Sequence, residues 1–239
     1  MNPPLLIFAP NRSGRTAQNK HTLENILETF EVVINMVSFD MVEQCSLASV
    51  EYEKGVNEFA KAGLTQIPAK RVKPPRVLEA PAQIECIVKQ VISLGSGASS
   101  GQLVLGEPVM VHIAEESFKE NSLDPNLLDL VARMGGNYYC RASGESIFEI
   151  AKPSGNPGIG FDALPEFIKT SNLLTGNELA KLASLPELPS PETCDPYVVQ
   201  QAQSLPENLD KISLFMRAKQ LLQENQPLPA MQLLLSLNE

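Results

Sequence analysis

A chain of 239 residues with 43% hydrophobic and 20% charged side chains is long enough to bury a core and too apolar for global disorder. Its formal net charge of −9 argues against wholesale binding to nucleic acid or to an anionic membrane surface. Four cysteines (Cys45, Cys86, Cys140, Cys194) stand far apart with no Cys-x-x-Cys pair, and the histidines are His21 and His112, so reduced thiols are expected and no metal site. No apolar run approaches membrane-spanning length and the first residues lack the basic segment of a signal peptide, which points to a cytoplasmic protein.

Pro4 to Phe8 is an apolar run of strand length. It opens into Ala9 to His21, thirteen residues without an acid that carry Arg12, Arg15, Lys20 and His21. Thr22 then starts a helical pattern whose first acid is Glu24. A basic loop ending at a helix N-terminus suits a phosphate, because unpaired N–H groups and the helix dipole both favour an anion. On charge alone, a merely solvated loop stands equally open.

Glu31 to Ser38 is β-branched and strand-like. Asp40 is placed as the N-cap of a helix running to about Ser49. Glu51 to Pro81 reads as a long ordered loop around a short helix at Asn57 to Ala62, stiffened by Lys73-Pro74-Pro75-Arg76. The middle is all β: Gln83 to Leu94 and Gln102 to Ala114 are long strands joined by the glycine-rich Gly95 to Gly101. Asp124 to Arg133 reads as helical, and Tyr138 to Ala142 with Ile147 to Ile150 as a second hairpin across Ser143-Gly144-Glu145. Strands interrupted by short helices indicate a barrel with inserted helices, and the lack of βαβ spacing disfavours a Rossmann sheet.

After Lys152 the strands stop, and ten of the nineteen prolines fall in residues 151–239. Pro186 to Pro196 reads as a linker. Leu209 to Glu224 and Leu228 to Leu237 carry apolar residues at helical spacing, a helix pair broken at Asn225 to Pro229 that packs on the barrel or on a partner subunit. The expected divisions are therefore a barrel domain over 1–153, an extension and linker over 154–196, and a helix pair over 197–239.

Gly97-Ala98-Ser99-Ser100-Gly101 matches the Gly-x-Ser-x-Gly pattern of serine hydrolases, but a strand follows where that motif needs a helix, so it reads as a hairpin turn. No Gly-Lys-Ser/Thr follows these glycines, which excludes a P-loop. In the strand Val109 to Ile113, period 2 places Met110 and His112 on one face and Val109 and Val111 on the other. A lone strand histidine is more often structural than functional. Tyr138, Tyr139, Arg141 and Phe148 concentrate aromatic and cationic side chains after Arg133 to Asn137, either as core or as a platform beside a planar ligand.

Taken in order, several segments resemble the flavin reductase-like family, the FMN-binding split barrels that include flavoredoxin. They are Asn2 to Phe8, Lys20 to Thr29, Glu31 to Ser38, Ser46 to Ser49, Gly55 to Phe59, Ala62 to Thr65, Lys73 to Val77, Gly106 to His112, Arg133 to Arg141, and Phe148-Glu149. The resemblance implies a mainly β Greek-key split β-barrel with inserted helices. It is shortened at its N-terminus relative to family members, which carry further strands before Asn2-Pro3-Pro4, and it is followed by an α-helical C-terminal extension. It also implies a homodimer with FMN near the subunit interface, and an oxidoreductase drawing electrons from NAD(P)H as co-substrate or from an electron-transfer partner protein.

By that resemblance, Lys20 and Thr22 fall where the family contacts the FMN phosphate, with Arg12 in the same loop. Ser46 and Ser49 match small polar positions bordering the flavin. His112 matches a histidine close to the cofactor and is the candidate catalytic residue. Phe148 matches a nearby aromatic, and Tyr139 joins the cofactor-binding set from the aromatic platform. The family's usual Lys-Asp-Thr reads Lys20-His21-Thr22 here. The alternative is a non-catalytic, truncated split-barrel module for dimerisation or interaction, with weak or no flavin binding.

Overall fold

In a computed structural model, residues 2–150, 157–190 and 211–236 are described. The chain divides into two compact units, residues 1–149 and 150–239. Lys152, Cys194, residues 191–196 of the expected linker, and the first and last residues of the expected helix pair (197–210, 237–239) lie outside the described residues.

Unit 1 is organised by a four-stranded antiparallel sheet of order β1-β6-β5-β2. Its strands are β1 (Leu6–Phe8), β2 (Glu31–Asn35), β5 (Ala82–Ser93) and β6 (Gln102–Ile113). The two twelve-residue strands form the hairpin that the sequence indicates, with Ile84 opposite Val111 and Val91 opposite Val104. β1 pairs with β6 (Ile7 with Leu105), and β2 with β5 (Ile34 with Ile84). Helix α1 (His21–Thr29) buries Leu23 and Ile26, and Ile26 meets Val88 and Val104 to form the sheet's core with Phe8, Val32 and Val91 at its edge. A second cluster of Met41, Val77 and Ala80 packs with Val37, Phe59 and Leu64.

Three short ribbons complete the unit: β3 (Gln66–Ile67) with β4 (Arg76–Val77), β7 (Phe118–Lys119) with β8 (Ser122–Leu123), and β9 (Val131–Gly135) with β10 (Tyr138–Arg141). Helix α3 (Glu58–Ala62) starts as expected, with the Asn57 side chain accepting from the Phe59 N–H at 2.9 Å.

Three local expectations change. Asp40 does not cap a helix: it lies inside a 3-10 turn, Phe39–Met41, that runs into α2 (Val42–Ala48). The helix begun by Asp124 is only α4 (Pro125–Leu128), closed by Asp129 in the left-handed region at φ 44°. Arg133 therefore stands in a strand, and β10 pairs with β9 while Ile147 to Ile150 join no strand. Gly135 and Gly136, at φ 100° and 54°, turn that hairpin in a conformation that side chains with a Cβ disfavour.

Unit 2 contains α5 (Glu166–Lys169), α6 (Gly176–Ala183), α7 (Lys211–Gln223) and α8 (Pro227–Leu235). α6 opens with a Thr175/Glu178 capping box. Ile168, Leu182, Phe215, Leu222, Met231 and Leu234 share one core, so these residues of the helix pair pack with α5 and α6 of their own unit, while Ile212, Met216 and Leu228 stay exposed. Lys181 Nζ donates to the Leu222 carbonyl at 2.7 Å, meeting a carbonyl near the end of α7.

Candidate functional site

The basic loop is held at both ends. Asn11 bridges Gly101 and the Arg12 N–H donates to the Ser100 carbonyl at 2.9 Å, tying the loop to the tip of the β5–β6 hairpin. Within it, Ser13 N–H donates to Gln18 O at 2.9 Å, Ala17 N–H to Ser13 O at 3.0 Å, and Arg12 Nη1 to Ala17 O at 3.0 Å. The loop then enters α1 through Lys20, an extended N-cap with no side-chain capping bond. A helix start without a capping side chain leaves N–H groups of its first turn facing outward for a ligand.

Opposite this start lie the end of α2 and residues 50–53. Together they bound a cleft of about 580 Å³, lined by Arg15, Lys20, His21, Thr22, Ser49 and Glu51 among others. That volume is within the range of small-molecule sites. Arg15 Nη2 donates to Glu51 Oε2 at 2.9 Å, and this bond, more than burial, holds the Glu51 carboxyl below the usual carboxylate range. Lys20 adds to the same shift at longer range and forms no direct ion pair among the described residues. Glu51, Glu53 and Glu58 share the cleft's far wall, so the anion-seeking groups are those of the loop and of α1.

A second cleft of about 440 Å³ lies between α2 and the β9–β10 hairpin, lined by Phe39, Ser46, Ser49, Arg133, Tyr139 and Arg141 among others. Ser49 lines both clefts, and its hydroxyl donates to the Ser46 carbonyl at 2.7 Å. Arg141 is bidentate to Asp129 at 2.7 and 2.6 Å and stacks over Phe39 at 3.9 Å from the ring centroid. These bonds hold the Asp129 carboxyl below its ordinary value.

The candidate residues divide accordingly. Lys20, Thr22 and Ser49 meet in the first cleft, and Ser46, Ser49 and Tyr139 in the second. Arg12 lines neither; one guanidinium nitrogen braces the loop, while its Nε is buried without a hydrogen-bond partner. Phe148 is 75% exposed and lines neither cleft. His112 also lies outside both, with Nε2 at 2.6 Å from Glu85 Oε1. Two residues were missed by the sequence reading: Glu51, and Glu85, whose one visible signal is a lone acid within the apolar stretch Ile84 to Val88.

The donor set fits a phosphate. It offers a lysine, a threonine hydroxyl and first-turn N–H groups, beside an arginine, Arg15, that Glu51 already pairs, and with an unpaired Arg12 Nε in the supporting loop. Among the described residues, no group of three or more His, Cys, Asp or Glu side chains could hold a metal ion.

A family model described as a flavin reductase like domain matches residues 1–135. A protein of Aquifex aeolicus is 34% identical over 144 residues, covering 60% of this chain and 70% of the relative. One from Halalkalibacterium halodurans is 30% identical over 139 residues, covering 57% of this chain and 66% of the relative. Among solved structures, nitrilotriacetate monooxygenase component B from Bacillus cereus has a TM-score of 0.56 at 25% identity, covering 62% of this chain and 73% of that one. A Shewanella frigidimarina protein with a split barrel domain has a TM-score of 0.52 at 26% identity, covering 63% and 72%. The flavoredoxin of Desulfovibrio vulgaris (Miyazaki F) has a TM-score of 0.50 at 26% identity, covering 63% and 74%.

Proposed function

The chain belongs to the flavin reductase-like family and has its split-barrel fold, and from that premise we propose that it is an FMN-binding flavoprotein that passes electrons from NAD(P)H or a protein donor. A flavin-related oxidoreductase is the family-level activity; FMN, its donor and its acceptor are the proposal. The observation that carries it is the convergence of Lys20, Thr22 and the uncapped start of α1 on one wall of a cleft. In this reading Lys20 and Thr22 hold the phosphate, Arg12 stiffens the loop behind them, and Ser49, Ser46 and Tyr139 border the ring.

Bound flavin would supply the electron transfer, for which the side chains of a protein have no equivalent. The chain's own part is to bind, orient and shield. His112 and Phe148 remain candidates through the resemblance, and no step is assigned to His112, whose Nε2 is engaged by Glu85.

We also propose a homodimer. The β9–β10 hairpin exposes nearly all its residues, Met134 by 68% and Tyr138 by 77%, and a two-stranded ribbon is marginally stable in water unless covered. A second copy would cover it. A cytoplasmic location belongs to the same proposal; no helix among the described residues is long and apolar enough to cross a membrane. The test is the visible absorbance of purified full-length chain incubated with FMN and desalted. Flavin bands that travel with the protein support the reading, and a colourless protein sinks it.

A further inference from the structure

We propose that the exposed cations of the β3–β4 loop, Lys70, Arg71 and Lys73, form a docking surface for an acidic patch on a partner protein. That this partner is an electron-transfer protein rests on the flavin reading above; the docking itself does not.

From Phe59 to Leu78 the chain runs twenty residues without an acid and carries Lys61, Lys70, Arg71, Lys73 and Arg76. Against a formal net charge of −9, this is a local reversal of sign. The five cations are differently committed. Lys61 Nζ stands 5.9 Å from the centroid of the Tyr52 ring. Arg76 turns inward, giving Nε and Nη2 to the Pro68 carbonyl at 3.2 Å and Nη1 to Gln83 Oε1 at 2.9 Å. Lys70, Arg71 and Lys73 are exposed, and among the described residues none of their side chains forms an ion pair or a hydrogen bond.

The backbone beneath these three is fixed. The N–H groups of Lys70 and Arg71 donate to Glu85 at 2.8 and 2.6 Å, and that of Lys73 to Glu31 Oε2 at 2.7 Å. Val72 is buried between them, and Pro74-Pro75 restrict the next two φ angles. The nearest acids thus face the loop's backbone and leave its cations unpaired. A loop anchored from below holds three like charges outward, and a partner that pairs them orders little further backbone.

The surroundings select the kind of partner. Single-stranded nucleic acid is held by stacking on exposed aromatic rings, and the one aromatic of this segment, Phe59, packs into the Met41 cluster. An anionic membrane needs an apolar anchor beside the charges, and of the segment's large apolar residues Leu78 alone is exposed. The three cations line neither cleft, so they do not enclose a small ligand there. A compact acidic patch on a folded protein matches their number and avoids the repulsion that the rest of this acidic chain would exert on a long polyanion. Gln44 Nε2 donates to the Ala62 and Gly63 carbonyls at 3.1 and 2.9 Å. The basic segment therefore leaves α3 at a point fastened to α2, the helix that lines both clefts, as an electron-transfer contact requires.

The test is fluorescence anisotropy of labelled octaglutamate with the full chain, with and without FMN, at low and high salt. It compares wild type, the triple variant Lys70→Gln/Arg71→Gln/Lys73→Gln, and Lys20→Gln. The triple variant keeps the N–H bonds to Glu31 and Glu85, so its melting temperature should match wild type. Octaglutamate should bind it about tenfold more weakly, the combined scale of three exposed charge contacts, and the difference should close at high salt. Lys70→Gln and Lys73→Gln singly should each lose about twofold, so the outcome does not hang on one variant. Lys20→Gln should bind octaglutamate as wild type does, and the triple variant should keep wild-type FMN affinity. The proposal is overturned if octaglutamate does not bind wild type, or binds the triple variant equally well. Tighter binding of oligothymidylate or of phosphatidylserine vesicles than of octaglutamate would assign the loop to a polyanion and overturn it. So would a changed oligomeric state of the triple variant by light scattering, which assigns the loop to a second copy, or a parallel loss of FMN affinity. Absence of FMN binding in wild type would sink the flavin reading while the charge dependence still stood.

Discussion

Glu85 and His112, on the two central strands of the sheet, meet at 2.6 Å between Oε1 and Nε2. Glu85 has no exposed side-chain surface, and its carboxylate also accepts from the Lys70 N–H at 2.8 Å and the Arg71 N–H at 2.6 Å. Arg76 Nε lies 3.9 Å away. One buried acid thus ties the loop before β4 to the sheet, and every nearby group is a donor. A buried carboxylate is tolerable only with such partners.

Removing the acid strands those donors. Glu85→Ala should cost about 3 kcal/mol, as for other broken buried pairs, and His112→Gln about 1 kcal/mol, the scale of one hydrogen bond. Urea unfolding of the two variants checks this. A cost below about 0.5 kcal/mol for Glu85→Ala, the level of an ordinary surface change, would show that the carboxylate is not the tie.

The same group gives the acid side of stability its shape. Burial alone pushes the Glu85 carboxyl up, but the Lys70 N–H, His112 and the Arg71 N–H outweigh it and hold it below its ordinary value. A depressed folded-state value means that the contribution is complete above the unfolded-state value and is lost as pH falls through the folded one. The melting temperature of wild type should fall on acidification below the ordinary glutamate range, with a shallower fall in Glu85→Gln. Parallel curves for the two proteins would contradict this.

How much of this was readable in the sequence depended on whether the signal was local. The β5–β6 hairpin showed because two long β-rich runs flank a glycine-rich turn, and the basic loop showed because charge is visible residue by residue. The end of α4 did not show, because Asp129 takes a left-handed conformation that glycine usually signals. With no glycine to mark that stop, the sequence pattern carries the helix on through Val131 to Arg133 and pairs Tyr138 to Ala142 with Ile147 to Ile150 in place of β9. Glu51 and Glu85 escaped for another reason. Their partners are Arg15, 36 residues earlier, and the backbone N–H groups of residues 70 and 71, and no periodicity encodes a bond to backbone.

Unit 2 has its own tight point. Ile159 N–H donates to Leu185 O at 2.8 Å and Gly160 N–H to Ala183 O at 3.1 Å, which lays residues 158–160 against the end of α6. A Cβ on Gly158 would overlap the Ala183 carbonyl oxygen and lie 2.8 Å from Ser184 Cα. Gly158→Ala should therefore destabilise this unit by about 2 kcal/mol, typical of overpacking. Hydrogen exchange at Leu182 and Leu222 should accelerate, and unchanged protection would contradict the packing described.

The cysteines should separate by reactivity. Burial pushes the Cys86 thiol up to about 11, and raises Cys45 as well, while Cys140 is exposed. Since the thiolate is the reactive form, brief alkylation at pH 8 of the folded protein, diluted until it is monomeric, should label Cys140 well before Cys86. Mass spectrometry of the digested protein reads the order, and early labelling of Cys86 would show that the strand pairing around it opens readily.

The central claim is that the start of α1 and its basic loop bind the phosphate of FMN. The most direct measurement is the equilibrium affinity of the full chain for FMN and for riboflavin, which differ only in that phosphate, repeated on Lys20→Gln and Thr22→Ala. Wild type should prefer FMN by at least tenfold, the scale of one charge-assisted hydrogen bond, and Lys20→Gln should lose most of that preference while keeping its affinity for riboflavin. Equal binding of the two flavins by wild type, or an undiminished preference in Lys20→Gln, would contradict the account.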